Sequence, residues 1–131
     1  MTPLQNFLIE DIANTQNVEI HVPGRLSKHT FIIRGLTLSE ITDARRKAKS
    51  VNSDDKTKLD GAEVTRQMII AGCVNPNFKN SEFIEACGCR TPSEAIDKVL
   101  LAGEATYISN EIMEASGYKD DDDELKEQAK N

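Results

Sequence analysis

Tryptophan is absent from this sequence, and aromatic residues make up only 5% of it. Because single-stranded nucleic acids are bound by stacking bases on aromatic rings, this scarcity disfavours such a partner. Basic charge is also scarce, with a net charge of -6 and a pI of about 4.9, whereas phosphate binding draws on clustered Lys and Arg. The one basic cluster, Arg45, Arg46, Lys47 and Lys49, is typical of a solvated helix face. We therefore expect no nucleic-acid partner.

Long apolar runs are missing as well. None approaches the ~18 residues of a membrane span, and the N-terminal stretch MTPLQNFLIED lacks the basic-then-apolar order of a signal peptide. Cysteine is scarce and odd in number, with three residues, which agrees with reduced thiols in an intracellular protein. These features predict a cytosolic protein with no membrane partner.

Metal-ligating residues are few. Cys87 and Cys89 form a C-x-C pair that, with Cys73 and either His21 or His29, could be considered as a zinc site. The pair is too closely spaced for the usual C-x(2-4)-C ligand group, and no second paired group exists. We expect structural or free thiols and no bound metal or other cofactor.

Catalytic signals are also lacking. No nucleophile stands in a recognisable motif with either of the two histidines, and neither phosphate-binding glycine pattern, G-x-x-x-x-G-K-[ST] or G-x-G-x-x-G, occurs. The sequence predicts a protein that is not an enzyme and has no catalytic residues.

What the chain does contain is a series of short secondary-structure patterns. Residues 3–13 have helical apolar spacing. Alternation from Val18 to Val22, the turn signal Pro23-Gly24 and the β-rich run from Thr30 to Arg34 predict a β-hairpin. Such a hairpin must pack on helices or pair with another chain, because two strands alone are marginally stable.

Capping signals define the middle of the chain. Thr37 with Glu40 predicts a helix to about Ser50, with Leu38, Ile41, Ala44 and Ala48 as its apolar stripe, and residues 51–58 read as an exposed loop. Asp60 with Glu63 predicts a second cap, and the run MIIAGCV, 68–74, predicts a central core helix that ends at Asn75-Pro76. A buried strand over the apolar run is the alternative.

Three further helices are predicted in the C-terminal part. The first covers 81–87, with Phe83, Ile84 and Cys87 inward. Thr91, Pro92 and Glu94 start the second, which Gly103 is expected to end. The third runs from Glu104 to Ser116 with Ile108, Ile112 and Ala115 on one stripe, and Gly117 suits a left-handed cap.

Residues 81–103 also have the outline of a DNA-binding helix-turn-helix, with Gly88 in the turn. The would-be reading helix carries Glu94, Asp97 and Lys98, which together have a net charge of -1. A reading helix needs positive charge and donors for bases, so this outline is expected to be structural.

Together these patterns predict an α+β, predominantly helical fold in which an N-terminal β-hairpin packs on a bundle of about five short helices. Residues 1–118 are expected to form a single domain, because the chain is too short for two comfortable ones. Residues 119–131, KDDDDELKEQAKN, have six acids and little apolar surface, so we expect a disordered acidic tail.

Three stretches carry a family resemblance: NFLIEDIANTQNVEIHV, MIIAGCVNPNFKNSEFIEACG and LLAGEATYISNEIMEASGY. They span residues 6–118 and resemble the XkdN-like family of phage tail assembly chaperones. The last stretch is the most specific, since its Leu100, Leu101, Gly103 and Glu104 match the family's L-L-x-G-E pattern.

The resemblance implies a non-catalytic protein of the host bacterial cytoplasm that is absent from the mature virion. It implies binding of the tape measure protein, which is kept soluble during tail tube assembly, with the tail tube protein and self-association as further possibilities. Residues suited to holding an apolar helix are Met68, Tyr107, Ile112 and Met113, although each can also be a core residue. The alternatives are a structural tail or head-completion protein retained in the virion, or a helix-turn-helix DNA-binding regulator.

Overall fold

A computed structural model describes residues 17–49 and 60–118 of the chain. Within these ranges it contains a three-stranded antiparallel sheet and five helices, which confirms the α+β, predominantly helical prediction. The predicted helix at 3–13, the loop at 51–58 and the acidic tail at 119–131 lie outside the described residues. In chain order the elements are β1 (Asn17–Ile20), β2 (Phe31–Arg34), α1 (Leu38–Lys47), α2 (Gly61–Gly72), β3 (Cys73–Asn75), α3 (Ser81–Ala86), α4 (Pro92–Val99) and α5 (Ala102–Ala115).

The predicted hairpin forms the first two strands of the sheet. β1 pairs with β2 in the register that joins Asn17 to Arg34 and Ile20 to Phe31. Residues 21–30 connect the strands and include Gly24, whose φ of 94° is a conformation that glycine tolerates best. β3 then pairs with the other side of β2, so β2 is the middle strand.

The central helix is shorter than the sequence predicts. α2 ends at Gly72, and Cys73–Asn75 continue as β3 instead of as a further helical turn. The prediction of one helix through residue 74 was therefore wrong for its last residues, where the alternative strand assignment applies. Pairing with β2 explains the difference, since it satisfies backbone groups that a helix would otherwise satisfy internally.

α2 nevertheless lies at the centre of the core, as predicted. It contacts α1, α4 and α5 and leads directly into the sheet. The hairpin and the helix bundle share one core. The largest fully buried side chains come from the sheet, the helices and two connecting segments; they are Val22, Ile33, Met68, Ile69, Phe78, Ile96, Ile108 and Ile112.

The helix starts follow the predicted caps, with differences in detail. Thr37 and Glu40 form the complete reciprocal capping box. Asp60 accepts hydrogen bonds from the amides of residues 62 and 63, but its own amide donates to the Ala48 carbonyl, so the reciprocal half of that box is absent. Thr91 caps α4 by accepting from the Glu94 amide, while the Glu94 carboxylate accepts from the Arg90 amide.

The boundary between α4 and α5 differs from the prediction. α4 ends at Val99 with Leu100 as its C-cap, and Gly103 lies inside the first turn of α5. Gly103 therefore does not end a helix. Gly117, with φ of 96°, follows α5 as predicted, and Gly88, with φ of 73°, lies in the turn between α3 and α4.

Two residues of the predicted apolar stripes face solvent. Leu38 is 76% exposed at the start of α1, whereas Ile41, Ala44 and Ala48 of the same stripe are buried. Ala115 is also exposed, at the last position of α5. Both residues lie at a helix end, where the stripe runs past the core.

Candidate functional site

The four residues predicted to bind a partner do not form one surface. Met68 and Ile112 lie in the core, with 2% and 0% of their surfaces exposed. Tyr107 and Met113 are half-buried, each packed partly against that core. These two are six positions apart on α5, which places them about 120° apart around a helix of 3.6 residues per turn. A partner can reach only Tyr107 and Met113 in this conformation, and their role in binding stays a prediction.

Tyr107 lines an open groove beside the first two turns of α5. The groove has a volume of ≈ 420 Å³, and we call it the Tyr107 groove. One wall is the segment 22–25 of the β1–β2 connection, and the other is formed by Leu101, Gly103, Glu104 and Tyr107. Most of the lining side chains are apolar. The Pro23-Gly24 turn, which the sequence identified only as a turn signal, thus forms part of a surface concavity.

An ion pair holds the two walls of the Tyr107 groove together. Arg25 Nη2 lies 2.7 Å from Glu104 Oε1, and the same nitrogen donates to the Val99 carbonyl. The Glu104 side chain is only 8% exposed, and its Oε1 also accepts from the Leu101 amide at 2.7 Å. A buried carboxylate needs such partners. The pair therefore fixes the hairpin connection against the start of α5.

Leu101 occupies the N-cap position of α5 without serving as a cap. Its side chain has no acceptor for the free amides of the first turn, although its backbone is in the extended conformation that caps adopt. Leu101 is also outside the hydrophobic core, since 59% of its surface is exposed. Its side chain therefore contributes little to either capping or the core.

Gly103 has no evident packing requirement. A Cβ atom placed there would meet nothing within 4 Å. Glycine lowers helix stability relative to alanine, yet this position lies in the first turn of α5 and on the wall of the Tyr107 groove. The missing side chain keeps the groove open.

A second groove lies on the other side of the first two turns of α5. It has a volume of ≈ 340 Å³ between α2, α4 and α5. Arg66 lies in it, with Nε 2.7 Å from Asp97 Oδ1 and Nη1 3.0 Å from Glu63 Oε2. These contacts, the hydrogen bond that Arg66 donates to Asp97 first, raise the pKa of Arg66. We call it the Arg66 groove; its lining also includes the small residues Ala62, Ala102 and Ala105.

The sequence did not predict the walls of the Tyr107 groove as a site. These walls include Leu101, Gly103 and the Arg25–Glu104 pair. A signal was nevertheless present in the sequence. Glu104 occupies the position of a capping-box acid, but the residue three positions before it is a leucine, which cannot supply the other half of the box. The leucine at this position therefore does not serve to cap the helix.

The thiols are free within the described residues. Cys73 is buried, and burial raises the pKa of its thiol to about 12, so it is held in the unreactive protonated form. Cys87 and Cys89 are half-buried beside the turn between α3 and α4. Across residues 17–49 and 60–118 no group of three or more His, Cys, Asp or Glu side chains is placed to hold a metal ion.

The basic cluster at residues 45–49 and the helix-turn-helix outline at residues 81–103 are the two features that could have suggested DNA binding, and they lie on different elements. The basic residues Arg45, Arg46, Lys47 and Lys49 are exposed at the end of α1, as predicted for a solvated face. Asp97 of the would-be reading helix is exposed and accepts a hydrogen bond from Arg66. In the part of the chain that the structure describes, no helix is both long and apolar enough to cross a membrane.

Comparisons with known proteins support a common family. The family described as phage XkdN-like tail assembly chaperone protein matches residues 4–130. The uncharacterized protein YqbN of Bacillus subtilis (strain 168) is 31% identical over 106 residues, which is 77% of this chain and 71% of the relative. The phage-like element PBSX protein XkdN of the same organism is 28% identical over 106 residues, with 77% and 72% covered.

A solved structure shares the fold. The crystal structure of the protein YqbN has a TM-score of 0.69 and 22% identity, and the match covers 91% of this chain and 99% of that one. The match to the family over residues 4–130, together with the 31% identical relative, establishes that the chain belongs to the XkdN-like family of phage tail assembly chaperones.

Proposed function

We propose that this protein binds the tape measure protein of its phage or prophage and keeps it soluble while the tail tube assembles. Two observations support this function: membership of a tail assembly chaperone family, and the open, mostly apolar Tyr107 groove. The groove is the observation that carries the binding role, because an apolar helix is held by burying its apolar face in such a concavity.

The groove fits a holding function better than a chemical one. Its one ion pair, Arg25 with Glu104, is engaged in joining two segments of the fold, and its remaining walls are apolar. A small apolar site binds weakly, so a long client would be held by several copies at once and released site by site. We place this action in the host cytoplasm, without catalysis, and expect the protein to be left out of the finished virion.

The test is co-expression with the tape measure protein of the same phage or prophage. With the wild-type chain the tape measure protein should remain in the soluble fraction, and without it most should aggregate. Tyr107→Glu and Met113→Glu place charges at the two accessible predicted residues. At least the Tyr107→Glu variant should lose the solubilising effect, because it puts a charge in the apolar groove.

Tyr118→Glu provides the matched control. Tyr118 is the other tyrosine of the chain, is 42% exposed and lies outside the Tyr107 groove. This variant should solubilise the tape measure protein as well as the wild type does. Equal aggregation with and without the wild-type chain would refute the proposed function, and detection of the chain in purified virions would favour a structural tail or head-completion protein.

A further inference from the structure

We propose that residues 3–13 of this chain dock as a helix on an apolar groove at the C-terminal end of α5, with the Phe7 ring inside that groove. Residues 3–13 lie outside the ranges that the structure describes, whereas the surface that receives them lies within those ranges. This docking does not depend on binding of the tape measure protein.

An open groove lies between the start of α1 and the residues that follow α5. We call it the Leu38 groove; it has a volume of ≈ 160 Å³ and is lined by Leu36, Leu38, Ile41, Ser116, Gly117 and Tyr118. Leu36 and Ile41 belong to the hydrophobic core. Leu38 and Tyr118, in contrast, are 76% and 42% exposed, so among the described residues nothing covers them. The Leu36 amide donates to Ser116 Oγ at 2.8 Å, which joins the two walls and makes the groove a fixed part of the fold.

The chain enters the described region next to this groove. Asn17, the first residue of β1, pairs with Arg34, which is two positions before Leu36. Paired Cα atoms are about 5 Å apart and two residues span at most about 7 Å, so Asn17 lies within about 12 Å of Leu36. The four residue steps from Asn17 back to residue 13 span about 13 Å when extended. A helix over residues 3–13 can therefore reach the Leu38 groove.

The start of β1 also lacks a cover among the described residues. Val18 pairs with Ile33, and paired side chains lie on the same face of a sheet, which is the core face here because Ile33 is fully buried. Val18 is nevertheless 40% exposed, whereas Ile20, two residues further along the same face, is 6% exposed. The core face of the sheet is therefore open at the end that connects to residues 3–13, where an apolar segment can pack.

The sequence of residues 3–13 fits this surface. Four apolar residues recur there at intervals of three or four, the spacing of one helix face: Leu4, Phe7, Leu8 and Ile12. Asn6 and Glu10 fall on the opposite face. A cavity of about 150 Å³ takes a benzene ring, so the ≈ 160 Å³ of the Leu38 groove suits one aromatic side chain. Phe7 is the one aromatic residue in this segment of the sequence.

Two other occupants fit the Leu38 groove less well. Residues 119–131 follow Tyr118 directly, but they include only Leu125 and Ala129 as apolar residues. A second copy of the chain would need about 1,200 Å² or more of buried surface for a stable dimer, whereas this groove has room for about one ring. A tethered segment needs no such area, because the short link to Asn17 gives it a high effective concentration.

Photo-crosslinking of the full chain identifies the occupant. The variant Leu38→p-benzoylphenylalanine is irradiated, and the crosslinked peptides are identified by mass spectrometry. Crosslinks should form within one chain and map to residues 3–13. The matched control is Leu101→p-benzoylphenylalanine, since Leu101 is a leucine with 59% exposure at the other end of α5. This control should give no crosslink to residues 3–13.

Ordinary substitutions provide a second test. Phe7→Ser and Leu38→Ser each remove one side of the same contact, so each should lower the thermal midpoint by about 3–6 °C. The double variant should lose less than the sum, because one contact can be lost only once. If Leu38 were uncovered, Leu38→Ser would leave the midpoint nearly unchanged, as most surface substitutions do. Leu101→Ser is the control, and its effect should add to that of Phe7→Ser.

Each result decides for or against docking of residues 3–13. Crosslinks from position 38 that join two chains would assign the Leu38 groove to a second copy, and crosslinks to residues 119–131 would assign it to the C-terminal stretch. The absence of crosslinks to residues 3–13, or equal crosslinking from position 101, would overturn the proposal. Fully additive losses for Phe7→Ser and Leu38→Ser would show that the two side chains do not meet.

Discussion

Individual glycines in this fold have opposite roles, and their surroundings decide which. A Cβ added at Gly35 would lie 2.4 Å from the Ala115 carbonyl oxygen, a backbone atom that cannot move away as a flexible side chain can. Gly35 thus allows the segment after β2 to approach the end of α5. At Gly61 and Gly103 the space is open.

Gly35→Ala should therefore lower the free energy of unfolding by about 1–3 kcal/mol, the usual range for overpacking a tight contact. Denaturant unfolding followed by circular dichroism measures this change. Gly61→Ala serves as the control and should be neutral or raise stability by up to about 1 kcal/mol. An unchanged free energy for Gly35→Ala would mean that the two segments separate easily.

Residue-level signals in the sequence identified helix starts well and side-chain exposure less well. Thr37, Asp60 and Thr91 all cap helices as predicted, because capping depends on a local hydrogen bond. Leu38 was assigned to an apolar stripe but is exposed. Whether a residue at the end of a stripe is buried depends on where the neighbouring elements stop, which spacing alone does not determine.

At the scale of elements, an ion pair links β2 to α1. Arg34 donates to Glu40 through both terminal nitrogens, with Nη1 3.1 Å from Oε1. This hydrogen bonding by Arg34 lowers the pKa of Glu40 to about 2, and Glu40 in turn raises the pKa of Arg34. Because Glu40 also completes the capping box with Thr37, one carboxylate stabilises both the helix start and its connection to the sheet.

The depressed pKa predicts acid sensitivity. Stability from a carboxylate with a lowered folded-state pKa is fully present above its unfolded pKa, near 4.5, and is lost as the pH falls toward 2. Since the Glu40 side chain is 32% exposed, we expect a loss on the order of 1–2 kcal/mol instead of the full linkage value. Glu40→Gln should show this loss already at pH 7.

The comparison with Glu40→Gln across pH is the decisive measurement. The difference in free energy of unfolding between wild type and variant should be largest at neutral pH and should shrink between pH 4.5 and 2. A difference that stays constant through this window would show that the carboxylate charge is not the source of the stabilisation.

Element boundaries were the weakest part of the sequence prediction. The run MIIAGCV contains both the end of α2 and the start of β3, and its composition suits either structure. The change occurs at Gly72, where an added Cβ would lie 2.7 Å from Ile112 Cγ2, so α5 packs directly on the helix end. Contact with α5 and pairing with β2 are long-range interactions, which local apolar spacing cannot reveal.

At the scale of the whole molecule, the fold class could be predicted because hydrophobic periodicity and caps are repeated along the chain. The candidate site could be predicted only in part. Tyr107 lies in the groove, but Leu101, Gly103 and Arg25 come together through the approach of the hairpin connection to α5. That approach joins segments about 80 residues apart in the chain, as in the pair of Arg25 with Glu104. The assignment of residues 1–118 to one domain and of 119–131 to a disordered tail stays a prediction.

The charge of the whole chain leads to the final prediction, which concerns salt. The net charge is -6, and the Tyr107 groove is mostly apolar, with Arg25 as the cation among its described lining residues, so apolar burial should supply most of the client affinity. Raising NaCl from 50 to 500 mM would screen an ion pair between Arg25 and the client, which is worth at most about 1 kcal/mol, and should weaken the binding of tape measure peptides less than about fivefold. A nucleic-acid binder with six or more phosphate contacts would lose about a thousandfold by 200 mM. A comparably steep loss here, measured by fluorescence anisotropy on labelled synthetic peptides of the tape measure protein, would mean that charge and not apolar burial holds the client.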